Sequence, residues 1–211
     1  MDNAITRRVR HLGSCATPTK PSGCGPSDFS RCKSLEQMVA LFLGERSDRP
    51  ERERAWWGDP GLSDKEACLR AMFTLEDDGR RDGHQWVFSK GDLKAIGQQL
   101  ADHSADLKAA TTFEDLYRCV ERALGLSRNR KPLLVYDITR RLSYRWKLEP
   151  EHVYLHAGPK VGANALRPKL GGPRHRSIED FPTSIRTRLT PAQTEDFLCL
   201  AADYLRPGLW D

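Results

Sequence analysis

Five times along this chain a hydroxyl residue stands three places ahead of Gln, Glu or Asp and opens an apolar stripe: Ser34/Gln37, Ser63/Glu66, Ser89/Asp92, Thr112/Asp115 and Thr190/Gln193. A Ser or Thr oxygen in that position accepts from a free amide of the first helical turn, so each pair marks a helix start. The stripes behind them repeat every three or four residues, as one face of a helix requires. Leu35, Met38, Val39, Phe42 and Leu43 run up to Gly44, and Ala67, Leu69, Met72 and Phe73 run toward Gly79, with Leu62 placed as a staple. Leu93, Ile96 and Leu100 follow Ser89; Phe113, Leu116, Tyr117, Val120 and Leu124 follow Thr112 up to Gly125. Phe197, Leu200, Ala201 and Tyr204 follow Thr190-Pro191. Pro132 sits where a first-turn proline belongs, ahead of Leu134, Val135, Ile138, Leu142 and Trp146. Pro150 is expected to begin a short helix that ends at Gly158, and Glu45–Arg54 reads as a polar stretch. No alternating strand pattern of useful length appears.

The fold expected is therefore all-α: one helical domain over residues 34–211, packed around a single core. Residues 1–33, with Gly13, Pro18, Pro21, Gly23, Gly25 and Pro26 and no apolar period, read as a disordered N-terminal tail. At 211 residues the chain is long enough for one filled core, and 38% hydrophobic residues with five Trp argue against wholesale disorder. No apolar run approaches the roughly 20 residues needed to cross a bilayer, and MDNAITRRVR lacks an apolar signal region, so no membrane role and a cytoplasmic location are expected. Cys68, Cys119 and Cys199 fall within helical stripes and read as small buried hydrophobes. His11, Cys15, Cys24 and Cys32 match none of the tight zinc-knuckle spacings, and no metal or cofactor is expected.

Charge is unevenly placed. The net charge is only +5, but Arg118, Arg122, Arg128, Arg130, Lys131, Arg140, Arg141, Arg145 and Lys147 face only Glu121 and Asp137 within residues 118–147. That segment carries +7 and the rest of the chain −2, the asymmetry expected of a phosphate footprint. The turn Leu126-Ser127-Arg128-Asn129-Arg130-Lys131 joins two helices, so its cations and the second helix's free amides suit a sugar–phosphate backbone. The expected partner is nucleic acid, DNA before RNA, contacted by Arg128, Arg130 and Lys131 in the turn and by Arg140, Arg141 and Arg145 on the helix. No Asn or Gln lies on that helix to read adenine edges, so sequence preference should be weak.

The blocks VYDITRRLSYRWKLEPEHVYLHAG, then Pro159-Lys160-Val161-Gly162-Ala163, and EDFLC at 195–199 resemble a family of uncharacterised bacterial proteins over roughly residues 84–204. In that family the block before VYD is similar to the helix-hairpin-helix of the DNA glycosylase superfamily, which implies a helix-hairpin-helix-like element here. This chain departs from the pattern, with Ser-Arg-Asn-Arg-Lys at 127–131 in place of the hairpin glycines. Side chains would then have to replace close backbone approach to a phosphate. The resemblance also implies a carboxylate at a helix start beyond the hairpin that helps expel a base, and Glu149 and Glu151, on either side of Pro150, occupy that neighbourhood. A first-turn acid serving only the helix dipole is the commoner explanation of both. Lys131 as a Schiff-base nucleophile is weighed against a plain phosphate contact in the same way.

Four-residue spacing would put His152 and His156 on one helix face, without a third ligand to make a metal site. His84 reads as a loop residue, and Trp56, Trp57 and Trp86 as core or staple residues rather than base-stacking platforms. No catalytic constellation stands out. The alternative from another class is a protein-interaction subunit or regulator, with a protein partner on Glu45–Arg54 or on the proline-punctuated stretch from Pro168 to Pro182.

Overall fold

In the computed structural model of the chain, residues 28–72, 90–125 and 132–207 are described. Every marked helix start among them carries its cap. Ser34 Oγ accepts from the Gln37 amide at 3.3 Å and opens α1, Leu35–Glu45. Helix α2, Arg49–Trp57, follows directly. Ser63 and Glu66 satisfy each other's backbone amides at 3.3 and 2.8 Å ahead of α3, Asp64–Met72. Then come α4, Lys90–Asp102, α5, Ser104–Lys108, and α6, Phe113–Ala123, the last capped by Thr112 at 3.0 Å from the Asp115 amide. Helix α7 is Pro132–Trp146, and α8 is Ala157–Leu166. A single turn, α9, spans Thr183–Arg186, and α10, Pro191–Leu200, begins at a full Thr190/Gln193 capping box. The domain is all-α, ten helices among the described residues, with one two-stranded ribbon. No described helix is long and apolar enough to cross a membrane.

The ribbon corrects the expectation of a helix from Pro150 to Gly158, since residues 150–156 form none. Val153–Tyr154 is strand β1, antiparallel to β2, His175–Arg176, in the register Val153↔Arg176 and Tyr154↔His175. Helix α8 starts at Ala157, where the expected helix was to end. The extended form wins because it buries side chains on both faces: Tyr154 joins one apolar cluster, while Val153 and Leu155 join another. A helix would have turned 153–155 around an axis and left one of the clusters short.

Those clusters divide the interior. The first gathers Met72, Leu93, Leu100, Leu107, Phe113, Leu116, Val120, Ile138 and Leu142 from α3 to α7. The second gathers Phe29, in a single 3-10 turn ahead of α1, with Leu35, Met38, Phe42, Leu166, Ile185, Phe197 and Leu198 from α1 and α8 to α10. Phe29 therefore belongs to the fold although it lies inside the stretch expected to be tail. It is 1% exposed and meets Phe197 and Tyr204 edge-to-face at centroid distances of 6.0 and 5.7 Å. Backbone packs closest between α8 and α10, where a Cβ on Gly162 would stand 2.2 Å from the Leu198 carbonyl oxygen.

Helix α2 has no apolar stripe and no buried residue, and its period was invisible in sequence for that reason. Pro50 in its first turn and ion pairs one turn apart, Arg49–Glu53 at 2.6 Å and Arg52–Asp48 at 3.4 Å, favour the helix instead. Helix α7 ends with Lys147 in the left-handed region at φ 57°, so that the Leu148 amide reaches the Ser143 carbonyl at 3.0 Å.

Candidate functional site

Three of the six expected phosphate contacts, Arg128, Arg130 and Lys131, lie outside the described residues. The other three point into the protein. Arg141 is buried, donates to the Ala71 carbonyl at 3.1 Å and lies 5.3 Å over the Trp57 ring. Arg145 donates at 2.7 Å to the carbonyls of both Asp59 and Leu62 and sits 3.4 Å from Asp64. Arg140 meets Glu149 at 3.5 Å and stacks 4.4 Å over Tyr144. Burial works against its charge, but Tyr144, Tyr136, Glu53 and Asp196 around it prevail and raise its pKa. These side chains tie α7 to the α2–α3 connection, and on a helix half surrounded by protein their positive stripe is not an open face. The exposed cations of the segment among the described residues are Arg118, which pairs with Glu114 at 3.0 Å, Arg122 and Lys147.

Glu149 and Glu151 are exposed on the extended stretch after α7, and neither stands at a helix start. The two histidines share no helix face either. His152 stacks on His175 at 5.0 Å, and His156 turns inward, because successive turns of a helix are replaced there by a strand and a cap. Trp56 and Trp57 lie under Arg70 and Arg141, as structural residues rather than stacking platforms. His84 and Trp86 lie outside the described residues, as do His11, Cys15 and Cys24; among the described residues no group of three His, Cys, Asp or Glu side chains could hold a metal ion.

What the structure does assemble is a crevice where α6 and α7 meet the ribbon, lined by Tyr117, Pro132, Tyr136, Tyr154, Leu155, His156 and Arg174. The space within it is about 10 Å³, room for about one water molecule. Tyr117 and Tyr154 stack at 5.1 Å, and Tyr136 leans on Tyr154 and His156 at 5.3 and 5.0 Å. Arg174 covers the Tyr117 ring at 4.5 Å, donates to its hydroxyl at 2.6 Å and to Glu121 at 2.8 Å. The Tyr154 hydroxyl donates to Glu114. Burial, and then that bond to a carboxylate, push the Tyr154 phenol up, so it stays a neutral donor.

At the inner end His156 Nε2 stands 2.9 Å from Glu195 Oε1, both side chains under a tenth exposed. The approach is off the line of a hydrogen bond, and His156 Nδ1 is buried with no partner among the described residues. Burial holds the Glu195 carboxyl above the usual range, against the lowering effect of His156. Carboxyl and imidazole thus stand together in a dry place, with the other ring nitrogen left to accept or donate. Behind it the polar seam continues through Asp196, Arg49 and Glu53, where Arg49 lies 3.9 Å from Asp196 and Tyr144 donates to Glu53. Sequence carried one signal of this site: Glu195 stands on the buried side of α10 between Ala192 and Leu198, a lone acid in an apolar stripe.

No family model, curated protein or solved structure matches this chain.

Proposed function

We propose that this chain binds nucleic acid by its sugar–phosphate backbone with the cations of the 126–131 segment between α6 and α7. The observation that carries the reading is the position of the tyrosine crevice. Its lining includes Pro132, the residue that directly follows Lys131 and the cations of the 126–131 connection, and Arg174. The cations supply phosphate contacts, which fix a backbone without reading its bases. Arg140, Arg141 and Arg145 hold the fold that presents this surface and make no contact with the ligand. Glu149 and Glu151 lie outside the crevice lining, and the reading includes no base-excision step.

The test is fluorescence anisotropy with labelled single-stranded and duplex oligonucleotides over a series of salt concentrations. Each phosphate contact adds about 0.7–0.9 to the slope of log affinity against log salt, so the triple variant R128A/R130A/K131A is expected to flatten it by roughly two units. R174A should weaken binding to both the single strand and the duplex. Absence of binding at low salt, or an unchanged slope in the triple variant, overturns the proposal.

A further inference from the structure

Resting on the reading that this chain binds nucleic acid, we infer that a groove in its C-terminal half is a second contact for the sugar–phosphate backbone, beside the 126–131 segment. The groove lies between the turn that follows α8 and the segment from β2 to Phe181, and Arg167, Lys169, Arg176, Glu179 and Asp180 line it. Exposed charge, room and the backbone of one lysine lead there.

Residues 160–188 carry seven Lys and Arg side chains against Glu179 and Asp180, a balance of +5. Six of the seven are exposed, and Arg176 is half-buried. On α7 the opposite holds, since Arg141 and Arg145 turn inward to backbone carbonyls. The fold thus uses up the cations of that helix and leaves this second set to solvent. Its two acids are engaged: Glu179 pairs with Arg186 at 2.8 Å, and Asp180 stands 3.8 Å from Arg176. Lys169 makes no ion pair among the described residues.

A charge run by itself is usually a solvated face, so the shape of the surface matters. The groove offers about 470 Å³, within the roughly 300–1,000 Å³ of ligand sites, whereas the tyrosine crevice has room for about one water. Cations lining a cleft focus their field into it and raise the local concentration of an anionic ligand.

Arg176 builds one wall. Its Nε donates to the Leu170 carbonyl at 2.9 Å and its Nη2 to the Lys169 carbonyl at 3.0 Å, which pins the turn against β2. The Gly172 amide donates to the same Lys169 carbonyl at 3.2 Å. Held in this way, Lys169 has φ 72°, in the left-handed region where a Cβ is strained and glycine is not. Gly171 and Gly172 stand two and three places on, yet the left-handed position holds a lysine. Strain that the surroundings hold in place marks functional positions, and what lysine brings to this one is an ammonium at the groove. Arg174 connects the two contacts: it lines the crevice beside Pro132 and stands two residues from Arg176, so a strand held by Lys131 and its neighbours continues past Arg174 toward Lys169.

The experiment measures anisotropy of labelled single-stranded and duplex oligonucleotides over a salt series with the full-length protein and the variants K169G, R167A/K169G and R128A/R130A/K131A. Lys169→Gly removes the ammonium and relieves the backbone, so it should melt no lower than the wild type; a lower melting temperature overturns the argument from the left-handed lysine. K169G should flatten the slope of log affinity against log salt by about 0.7–0.9, and R167A/K169G by roughly one and a half units, separately from the two units expected of the triple variant. An unchanged slope in R167A/K169G overturns the groove contact and leaves the 126–131 contact standing. A slope flattened by R167A/K169G and not by the triple variant supports the groove and overturns the 126–131 contact. Absence of binding at low salt overturns both. Calorimetry with a nucleoside monophosphate tests the other occupant of the same chemistry: binding as tight as the strand's, and lost in R167A/K169G, assigns the groove to a small phosphorylated molecule and overturns the backbone contact.

Discussion

Replacing Phe29 by Ala removes the one large side chain that the N-terminal segment buries among the described residues. The ring is 1% exposed, packed against Phe197 and Tyr204 within a cluster that also holds Leu35, Met38 and Phe42. Truncating a buried Phe costs about 3–5 kcal/mol, from lost transfer free energy and the cavity left behind, and its edge-to-face contacts fall within that total. In a domain of this size each kcal/mol moves the melting temperature by about 2–4 °C, so the variant should melt roughly 6–20 °C lower. The assay is guanidinium and thermal unfolding of F29A beside two shortened chains, one beginning at Asp28 and one at Ser34. The chain from Asp28 should match the full-length protein, and the chain from Ser34 should lose as much as F29A. A chain from Ser34 with the full-length midpoint would refute the reasoning, as would an equal loss in both shortened chains.

Arg145→Ala should destabilise by about 1–3 kcal/mol, because the half-buried carbonyls of Asp59 and Leu62 lose their donor, while the salt slope of nucleic-acid binding stays unchanged; denaturant midpoints and anisotropy check the two halves. Lys147→Gly should stabilise by up to about 1 kcal/mol, since the backbone there is left-handed at φ 57° and glycine adopts it without strain, which a urea titration measures. Gly162→Ala should destabilise by about 1–3 kcal/mol or more, its Cβ being forced against the Leu198 carbonyl, with loss of melting temperature as the readout. Glu53 is held below the usual carboxylate range: burial works to raise it, but the charge of Arg49 and the Tyr144 hydroxyl prevail. A lowered folded pKa means stability fully present above the ordinary value near 4.5 and lost as pH falls through the folded value, so Glu53→Gln should cost about 1–3 kcal/mol at pH 7 and progressively less as pH is lowered below 4.5.

The expectation that α7 presents a row of phosphate-binding arginines rested on composition, and composition does not say which way a side chain points. Arg141 and Arg145 lie among positions whose neighbours Leu142 and Tyr144 are buried, and a long guanidinium can cross an apolar surface to reach a carbonyl far off in the chain. The acceptors that turn them inward, Ala71, Asp59 and Leu62, lie 70 to 86 residues away in sequence. At Glu149 and Glu151 the local signal is misleading: Pro150 reads as a helix start, whereas the segment after it pairs with His175 and Arg176, more than twenty residues on.

Sequence by itself determined where most helices begin and which face of each is apolar. Ser34, Ser63, Thr112 and Thr190 accept from amides three residues ahead, and stripes such as Leu116, Val120 and Leu124 recur within one or two turns, so both signals are complete within a short window. Tertiary structure alone decided that residues 153–155 extend to serve two clusters and that His156 meets Glu195 across 39 positions of chain. The same holds for Arg174, which closes over Tyr117 from a segment 57 residues away. The physical reason is range. A cap or a stripe is an interaction between neighbours whose strength the local sequence sets, whereas a strand with two buried faces or a buried ion pair is stabilised only by partners that the whole chain must first bring together.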